Sequence, residues 1–343
     1  MRASSTGCLV WLSKSGLFIK SFQFQPKGLF EQEPFSHHTM TVHNILLLGA
    51  NGQLGHELAT ALQALGEVKA LTRAEADLSQ PDALRQSLAH ITHSFVPTVI
   101  VNAAAYTAVD KAESEPHLAH AVNAASVAVL GEVAQACGAM VLHYSTDYVF
   151  DGSGTQAWQE TDAPHPLSVY GQSKWAGEQA LAQACAKQVV LRTSWVVGTH
   201  GGNFLKTMLR LGAERDSLRV VADQVGVPTS TALLAQVTVQ IIQAMQGADA
   251  HDPRWGVYHL VASGETTWHA YAQHVISGAH ARGAVLKVTP EAVHPITTAE
   301  YPLPAPRPLN SRLNTHKVQH TFGLTLPDWQ QGVDGILDVL FSK

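Results

Sequence analysis

The sequence predicts an α/β protein with a doubly wound parallel sheet and a smaller, mixed C-terminal lobe. Apolar segments with the character of strands alternate with helix-like segments as far as about residue 195. This alternation is typical of parallel sheets with right-handed crossovers. The strand-like runs are continuously apolar, as expected for strands buried on both faces. We therefore place a sheet-forming domain at residues 40–200 and a lobe at residues 201–343, with some late segments returning to the first domain.

Each expected element has a local signal. The strands are apolar runs beside turns, and we place them at residues 44–48, 68–71, 99–101, 140–144 and 189–191. The helices have apolar residues at helical spacing or are rich in alanine, and we place them at residues 54–65, 81–89, 119–137 and 170–187. Pro81 suits the first turn of a helix, and Gly138 suits a helix end. After residue 200 the pattern loosens into short helices separated by Gly/Pro turns.

The composition excludes several classes of protein. Of the 343 residues, 45% are hydrophobic and 14% are charged, with a formal net charge of −5, so the chain can bury a large core. No basic stripe is present, which argues against a nucleic-acid partner, and no apolar run is long enough to span a membrane. Cys8, Cys137 and Cys185 are too scattered for a disulfide framework, which fits a reducing cytoplasm.

The first 39 residues stand apart from this pattern. They contain one short apolar stretch, residues 8–12, which is too short and interrupted for a signal peptide. The first strong structural signal begins just after Met40. We therefore interpret residues 1–39 as a disordered extension or a mis-assigned start.

A glycine-rich turn follows the first strand. Gly49, Gly52 and Gly55 are spaced three residues apart, between an apolar strand and an amphipathic helix. Glycine lets the backbone approach a pyrophosphate closely, and a helix beginning near Gln53 directs free amides at it. In this context the turn predicts a Rossmann-like dinucleotide site. The alternative is a turn needed only for packing.

The end of the second strand bears on the choice of dinucleotide. Dinucleotide folds often place an acid there, against the ribose 2′-hydroxyl. This chain has Thr72 and Arg73 instead, and the arginine is suited to a 2′-phosphate. We therefore expect NADPH, with NADH as the alternative cofactor, and Asp77 near the adenine. An exposed loop arginine without such a role is the competing interpretation.

A tyrosine and a lysine four residues apart are the candidate catalytic pair. Tyr170 and Lys174 share one face if a helix begins near residue 170. A free phenol has a pKa near 10, and a neighbouring ammonium is expected to lower it. Tyr170 would then donate a proton to a substrate oxygen, and Lys174 would also bind the nicotinamide ribose. Taken alone, the motif is common and weak.

Hydroxyl and carboxyl groups follow another strand at the ligand-binding edge of the sheet. Thr146 is the stronger candidate, and Ser145 the weaker one, for a second hydrogen bond to the substrate carbonyl. Asp147 is suited to binding sugar hydroxyls. Ordinary turn chemistry after a strand is the alternative. The small residues after Asn102 would let a cofactor lie against the backbone.

The 19 histidines do not form a recognisable metal motif. His117 and His120 are three residues apart, but they lack an obvious third ligand. We therefore expect no protein-bound metal from these residues.

Together, these motifs resemble those of the dTDP-4-dehydrorhamnose reductase family, which belongs to the extended short-chain dehydrogenase/reductases. The similar segments, which span nearly all of the chain after Met40, are residues 49–55, 102–116, 143–150, 170–174, 192–195, 203–211, 223–229 and 307–313. The resemblance implies reduction of dTDP-4-dehydro-L-rhamnose to dTDP-L-rhamnose, the last step of an activated-sugar pathway for cell-surface polysaccharide such as O antigen. It also implies a cytoplasmic enzyme whose C-terminal lobe binds the substrate.

The resemblance assigns roles by position. It implies that cofactor is bound by Gly52, Gln53, Leu54, Asp77, Leu78, Ala105, Tyr106 and Thr107. It makes Tyr170 the proton donor and Lys174 its partner. It places Thr146, Asp147, Trp195, Asn203, Pro228 and Arg307 near the nucleotide-sugar.

Two departures from the family leave questions open. Some members carry an acid where Thr72 stands, which leaves the cofactor preference open. Some members bind Mg²⁺ at a homodimer interface through glutamates. Glu57 could serve here, but residues 229–234 and 337–341 offer no matching glutamate. We therefore do not expect a metal-bridged homodimer.

Two other functions remain as alternatives. A non-catalytic regulatory subunit can share this fold and bind a dinucleotide, and a nucleotide-sugar epimerase or dehydratase would regenerate its cofactor. The intact pair of Tyr170 and Lys174 favours catalysis over the first alternative.

Overall fold

A six-stranded parallel sheet lies at the centre of the protein in the computed structural model, which describes residues 42–342. The strands are β1 (His43–Leu48), β2 (Gly66–Leu71), β3 (Val99–Asn102), β4 (Met140–Thr146), β5 (Gln188–Thr193), β6 (Val196–Val197), β7 (Leu218–Val221), β8 (Val225–Gly226), β9 (Thr229–Ser230), β10 (Gly256–His259), β11 (Thr266–Thr267) and β12 (Val293–Ile296). The helices are α1 (Gln53–Ala61), α2 (Pro81–Ser94), α3 (Val109–Ala112), α4 (Pro116–His120), α5 (Ser126–Cys137), α6 (Val169–Ala184), α7 (Phe204–Glu214), α8 (Thr231–Ala244), α9 (Trp268–Ala281), α10 (His316–Phe322) and α11 (Trp329–Phe341). The predicted extension at residues 1–39 lies outside the described residues.

The strand order of the sheet is β2-β1-β3-β4-β5-β10, and every neighbouring pair is parallel. The chain extends the sheet from β1 to β2 on one side and then crosses to β3 on the other. A crevice therefore forms at the carboxyl ends of β1 and β3, where doubly wound sheets bind ligands. The predicted doubly wound parallel sheet is confirmed.

Both faces of the sheet are buried, which explains the continuous apolar runs. In β1, Ile45 and Leu47 pack into one hydrophobic cluster, and Leu46 and Leu48 pack into another. Successive side chains of a strand point to opposite faces, so a strand covered on both sides must be apolar at every position.

The predicted helix at residues 119–137 is wrong in its start and in its regularity. The helical segment begins at Pro116, and residues Ala121–Ala125 form a π-helical turn between α4 and α5. Asn123, in this turn, is fully buried and hydrogen-bonds Tyr106 main-chain atoms and the Ser173 hydroxyl. These bonds stabilise the wider turn, a type of irregularity that is frequent at functional sites.

The chain from Val196 onward forms helices and three two-stranded pairings, β6 with β9, β7 with β12 and β8 with β11. Among them, β10 pairs with β5 and so extends the central sheet. The division into a domain at 40–200 and a lobe at 201–343 stays a prediction. None of the helices in residues 42–342 combines the length and apolar character needed to cross a membrane.

Candidate active site

A cavity of about 890 Å³ opens at the carboxyl ends of β1, β3 and β4. Most of the predicted site residues line it, although they come from segments far apart in the chain. These are Gly49, Gly52, Gln53, Leu54, Arg73, Asp77, Leu78, Ala105, Tyr106, Thr107, Ser145, Thr146, Asp147, Tyr170, Lys174 and Trp195. The fold therefore brings the glycine-rich turn and the Tyr/Lys pair to one space.

Three predicted substrate residues lie outside the cavity wall. Asn203 caps α7 and donates from Nδ2 to the Gln53 side chain at 2.9 Å. Arg307 forms an ion pair with Asp110 at 2.7 Å, and Pro228 is buried beside β9. A role for these residues toward the nucleotide-sugar stays a prediction.

The turn between β1 and α1 has the geometry that an anionic ligand requires. Gly49 has φ of 78°, and its carbonyl accepts a hydrogen bond from the Gly52 amide at 2.9 Å. Gly55 lies behind this turn, where a Cβ atom would stand 2.0 Å from the Gly49 oxygen. No side chain caps the start of α1, and its first turn contains no acidic residue. Its free amides and positive dipole end therefore fit the diphosphate of a dinucleotide.

Tyr170 and Lys174 both lie near the start of α6. The Ser168 hydroxyl caps this helix by accepting from the Gly171 amide at 3.1 Å. Lys174 is only 2% exposed, and its Nζ donates to the Tyr144 carbonyl at 2.7 Å. Because α6 packs beside β4, both side chains reach the cavity from one helical face.

The pKa of Tyr170 is raised in this structure, whereas the sequence predicted a lowered value. Burial raises the pKa of Tyr170 to about 12, a hydrogen bond with Thr146 offsets part of this rise, and the charge of Asp147 adds to it. Burial also lowers the pKa of Lys174 to about 8, which Glu178 opposes. The phenol is therefore protonated at neutral pH, as a proton donor must be.

Thr146 and Asp147 lie at the end of β4, beside Tyr170. The Thr146 hydroxyl caps the short helix at residues 147–149 and contacts Asp147 Oδ1 at 3.1 Å. Burial raises the pKa of Asp147 to about 6. Its Oδ2 is buried and has no hydrogen-bond partner among the described residues. A buried acceptor without a partner is costly, so a sugar hydroxyl donating to it would be favourable.

An acid does reach the end of β2, contrary to what the strand end alone suggested. The Glu75 carboxylate accepts from the amide and the hydroxyl of Thr72, both at 2.9 Å. Arg73 lies beside it, 77% exposed, with Nε 3.3 Å from Asp77. The predicted arginine therefore faces the cavity next to two carboxylates.

Sequence analysis did not predict several polar or aromatic residues at or beside the site. Asn123 interrupts an otherwise small and apolar helical stretch, which is the signal that could have indicated it. Trp268 lines the cavity and stacks on Trp195, with 3.7 Å between ring centroids. Trp195 has φ of 46°, a conformation that non-glycine residues rarely adopt and that often marks a functional position. His143 contacts Lys174 from inside the sheet.

Metal ligands are not gathered in the part of the chain that the structure describes. No group of three or more His, Cys, Asp or Glu side chains there is placed to hold an ion. His117 and His120 lie on α4 with exposed side chains.

The fold and the site together define a nicotinamide-dependent oxidoreductase of the short-chain dehydrogenase/reductase type. A family model described as the RmlD substrate binding domain matches residues 43–341. The chain belongs to the dTDP-4-dehydrorhamnose reductase family.

Individual relatives agree with this assignment. The chain is 49% identical over 300 residues to dTDP-4-dehydrorhamnose reductase of Escherichia coli strain K12, which covers 87% of this chain and 98% of the relative. A dTDP-4-dehydrorhamnose reductase structure from Clostridium acetobutylicum has a TM-score of 0.77 and 35% identity, covering 86% of this chain and 99% of that one. One from Bacillus anthracis, solved in complex with NADP, has a TM-score of 0.76 and 33% identity, with coverage of 86% and 98%.

Proposed function

We propose that this protein reduces the 4-keto group of dTDP-4-dehydro-L-rhamnose to give dTDP-L-rhamnose, with NADPH as cofactor. The observation that carries the proposal is that Tyr170 and Thr146 share one cavity with the glycine-rich turn of α1. Family membership supports the substrate, and the NADP complex of the Bacillus anthracis relative supports the cofactor.

The residues perform distinct tasks in this reduction. NADPH supplies the hydride to the carbonyl carbon. Tyr170 donates its phenolic proton to the carbonyl oxygen, and Thr146 stabilises the negative charge that develops there by a second hydrogen bond. Lys174, as the ammonium, stabilises the phenolate that Tyr170 becomes. Asp147 accepts from a sugar hydroxyl and holds the ring in place.

One assay tests the proposal and separates it from the alternatives. Purified protein is mixed with NADPH and enzymatically prepared dTDP-4-dehydro-L-rhamnose, and both NADPH absorbance and the nucleotide-sugar product are followed. We expect stoichiometric loss of NADPH and formation of dTDP-L-rhamnose. Isomerisation or dehydration of the supplied nucleotide-sugar without net consumption of NADPH would indicate an epimerase or a dehydratase. Cofactor binding without any turnover would indicate a regulatory subunit.

Arg73 is expected to favour NADPH over NADH. Replacing Arg73 by alanine should lower kcat/KM with NADPH about tenfold and leave kcat/KM with NADH nearly unchanged, because a hydrogen bond to a charged group contributes about 1.5 kcal/mol. Steady-state kinetics with both cofactors measure this. Arg210→Ala, which removes another exposed arginine paired at i,i+4, is the control and should change neither value. Equal losses with both cofactors would contradict a role for Arg73 at the 2′-phosphate.

Two properties of the whole protein belong to the same proposal. We place it in the cytoplasm, which the free thiols of Cys137 and Cys185 support. We also propose a homodimer by family resemblance. Cell fractionation and light scattering measure these two properties.

A further inference from the structure

A buried chain of three polar side chains reaches the site from inside the sheet. Asn102, at the end of β3, lies with Nδ2 3.0 Å from His143 Nδ1, and His143 Nε2 lies 3.3 Å from Lys174 Nζ. Asn102 and His143 are fully buried, and Lys174 is 2% exposed. The register of the sheet pairs Asn102 with His143, so the two side chains are neighbours on adjacent strands.

The direction of the hydrogen bonds along this chain follows from one backbone group. The Ala104 amide donates to Asn102 Oδ1 at 3.1 Å, and a backbone N–H can only donate, so the oxygen of this side-chain amide is identified. The Asn102 NH₂ group therefore faces His143 and donates to Nδ1. A ring whose Nδ1 accepts is neutral and carries its proton on Nε2. Hence His143 presents an N–H, not a lone pair, to Lys174.

This N–H opposes the charged form of Lys174. An ammonium has three N–H donors and no acceptor, so it gains nothing from a second donor 3.3 Å away. The Tyr144 carbonyl accepts from Nζ and suits either form of the lysine. Glu178, one turn along α6, favours the ammonium, but its carboxylate is paired with Arg192.

Two further ionisable groups line the cavity that Lys174 also lines. Tyr170 lies one turn before Lys174 on α6, and Asp147 follows β4; both line the same cavity. Burial, together with the charge of Lys174, lowers the pKa of His143 well below its ordinary value, so the ring stays neutral at neutral pH.

We propose that His143, oriented by Asn102, is a positioning residue that donates a ring N–H toward Lys174 and so sets the protonation of the site lysine. The proposal rests on the reductase function proposed above. A weakened ammonium stabilises the Tyr170 phenolate less, and so it leaves the phenol protonated in the resting site. A carbonyl reduction begins from that protonated phenol.

The substitution Asn102→Asp reverses the direction of the hydrogen bonds from residue 102 through His143 to Lys174, with almost no change in the shape of the side chain. A carboxylate can only accept hydrogen bonds, so it favours the His143 tautomer that carries its proton on Nδ1. Nε2 then becomes an acceptor for the Lys174 ammonium. In the wild type, kcat/KM should fall as pH rises through the pKa of Lys174, because only the ammonium stabilises the forming phenolate. In Asn102→Asp we expect this fall to move upward by about one pH unit, the size expected of one hydrogen bond to a charged group.

Nitrogen-15 NMR of histidine-labelled protein reads the tautomer without substrate. The signals of His143 are assigned by their loss in His143→Gln. We expect a neutral Nε2–H ring in the wild type and a ring protonated on Nδ1 in Asn102→Asp. The wild-type tautomer is measurable even if Asn102→Asp does not fold. It is also measurable if the protein lacks reductase activity, so the two proposals fail separately.

Two more variants complete the experiment. His143→Gln keeps an oxygen for Asn102 and an NH₂ for Lys174, so its pH profile should resemble that of the wild type. His117→Gln, the same substitution at an exposed position of α4, should alter neither the profile nor the tautomer. Two results would overturn the proposal. One is a wild-type His143 ring that carries its proton on Nδ1. The other is a folded Asn102→Asp protein in which kcat/KM falls at the same pH as in the wild type.

Discussion

Replacing Tyr170 by phenylalanine is expected to lower kcat by about 10²–10⁴-fold, the usual contribution of a positioned general acid. The phenol is the proposed proton donor for the substrate oxygen, and phenylalanine keeps the ring but lacks the proton. The ring packs edge-on against Tyr148, with centroids 5.5 Å apart, and this contact survives the substitution. The affinity for NADPH should therefore stay close to that of the wild type. Steady-state kinetics and a fluorescence titration with NADPH measure the two quantities.

The matched control is Tyr301→Phe. Tyr301 is 56% exposed, and its hydroxyl is not part of the cavity wall, so kcat should not change. If Tyr170→Phe retained the kcat of the wild type, Tyr170 would not be the proton donor. If it lost cofactor binding together with kcat, the effect would be on the structure of the site.

Replacing Glu178 by alanine is expected to lower the free energy of unfolding by about 3–5 kcal/mol, the usual cost of breaking a buried ion pair. Glu178 and Arg192 are only 5% and 4% exposed, and Arg192 donates to both oxygens of the carboxylate, from Nη2 at 2.7 Å and from Nε at 3.0 Å. Ser145 also donates to Glu178. The substitution leaves the Arg192 guanidinium buried without a counter-ion, which is the origin of the large effect.

Urea denaturation measures this loss, and an exposed ion pair provides the control. Glu132 pairs with Arg85 at the surface, where the two side chains are 47% and 50% exposed. Glu132→Ala should change the free energy of unfolding by at most about 1 kcal/mol, because water solvates and screens the freed charge. If the two variants lost similar free energies of unfolding, with the same dependence of that free energy on urea concentration, the buried ion pair would not have the larger effect expected of it.

The features that sequence analysis predicted correctly are those that depend on neighbours along the chain. The apolar run at residues 44–48 and the glycine-rich turn after it are local patterns, and β1 and α1 flank this turn as expected. Tyr170 and Lys174 are four residues apart, so any helix through them places both on one face. Thr146 follows an apolar run, which placed it at a strand end.

The features that sequence analysis missed depend on contacts between distant segments. The π-helical turn is stabilised by hydrogen bonds from the Asn123 side chain to Tyr106 and Ser173, residues 17 and 50 positions away. The direction of the Tyr170 pKa was wrong because a motif indicates a neighbouring lysine but not the extent of burial.

By itself, the sequence determined the alternation of strands and helices as far as about residue 195, the position of the glycine-rich turn and the family to which the protein belongs. These follow from local periodicity, from glycine spacing and from motifs made of residues that are close together in the sequence. Only the tertiary structure decided which side chains share the cavity, and which way the hydrogen bonds run from Asn102 through His143 to Lys174. The reason is physical: burial and hydrogen-bond direction are set by groups that meet only when β3, β4 and α6 pack together.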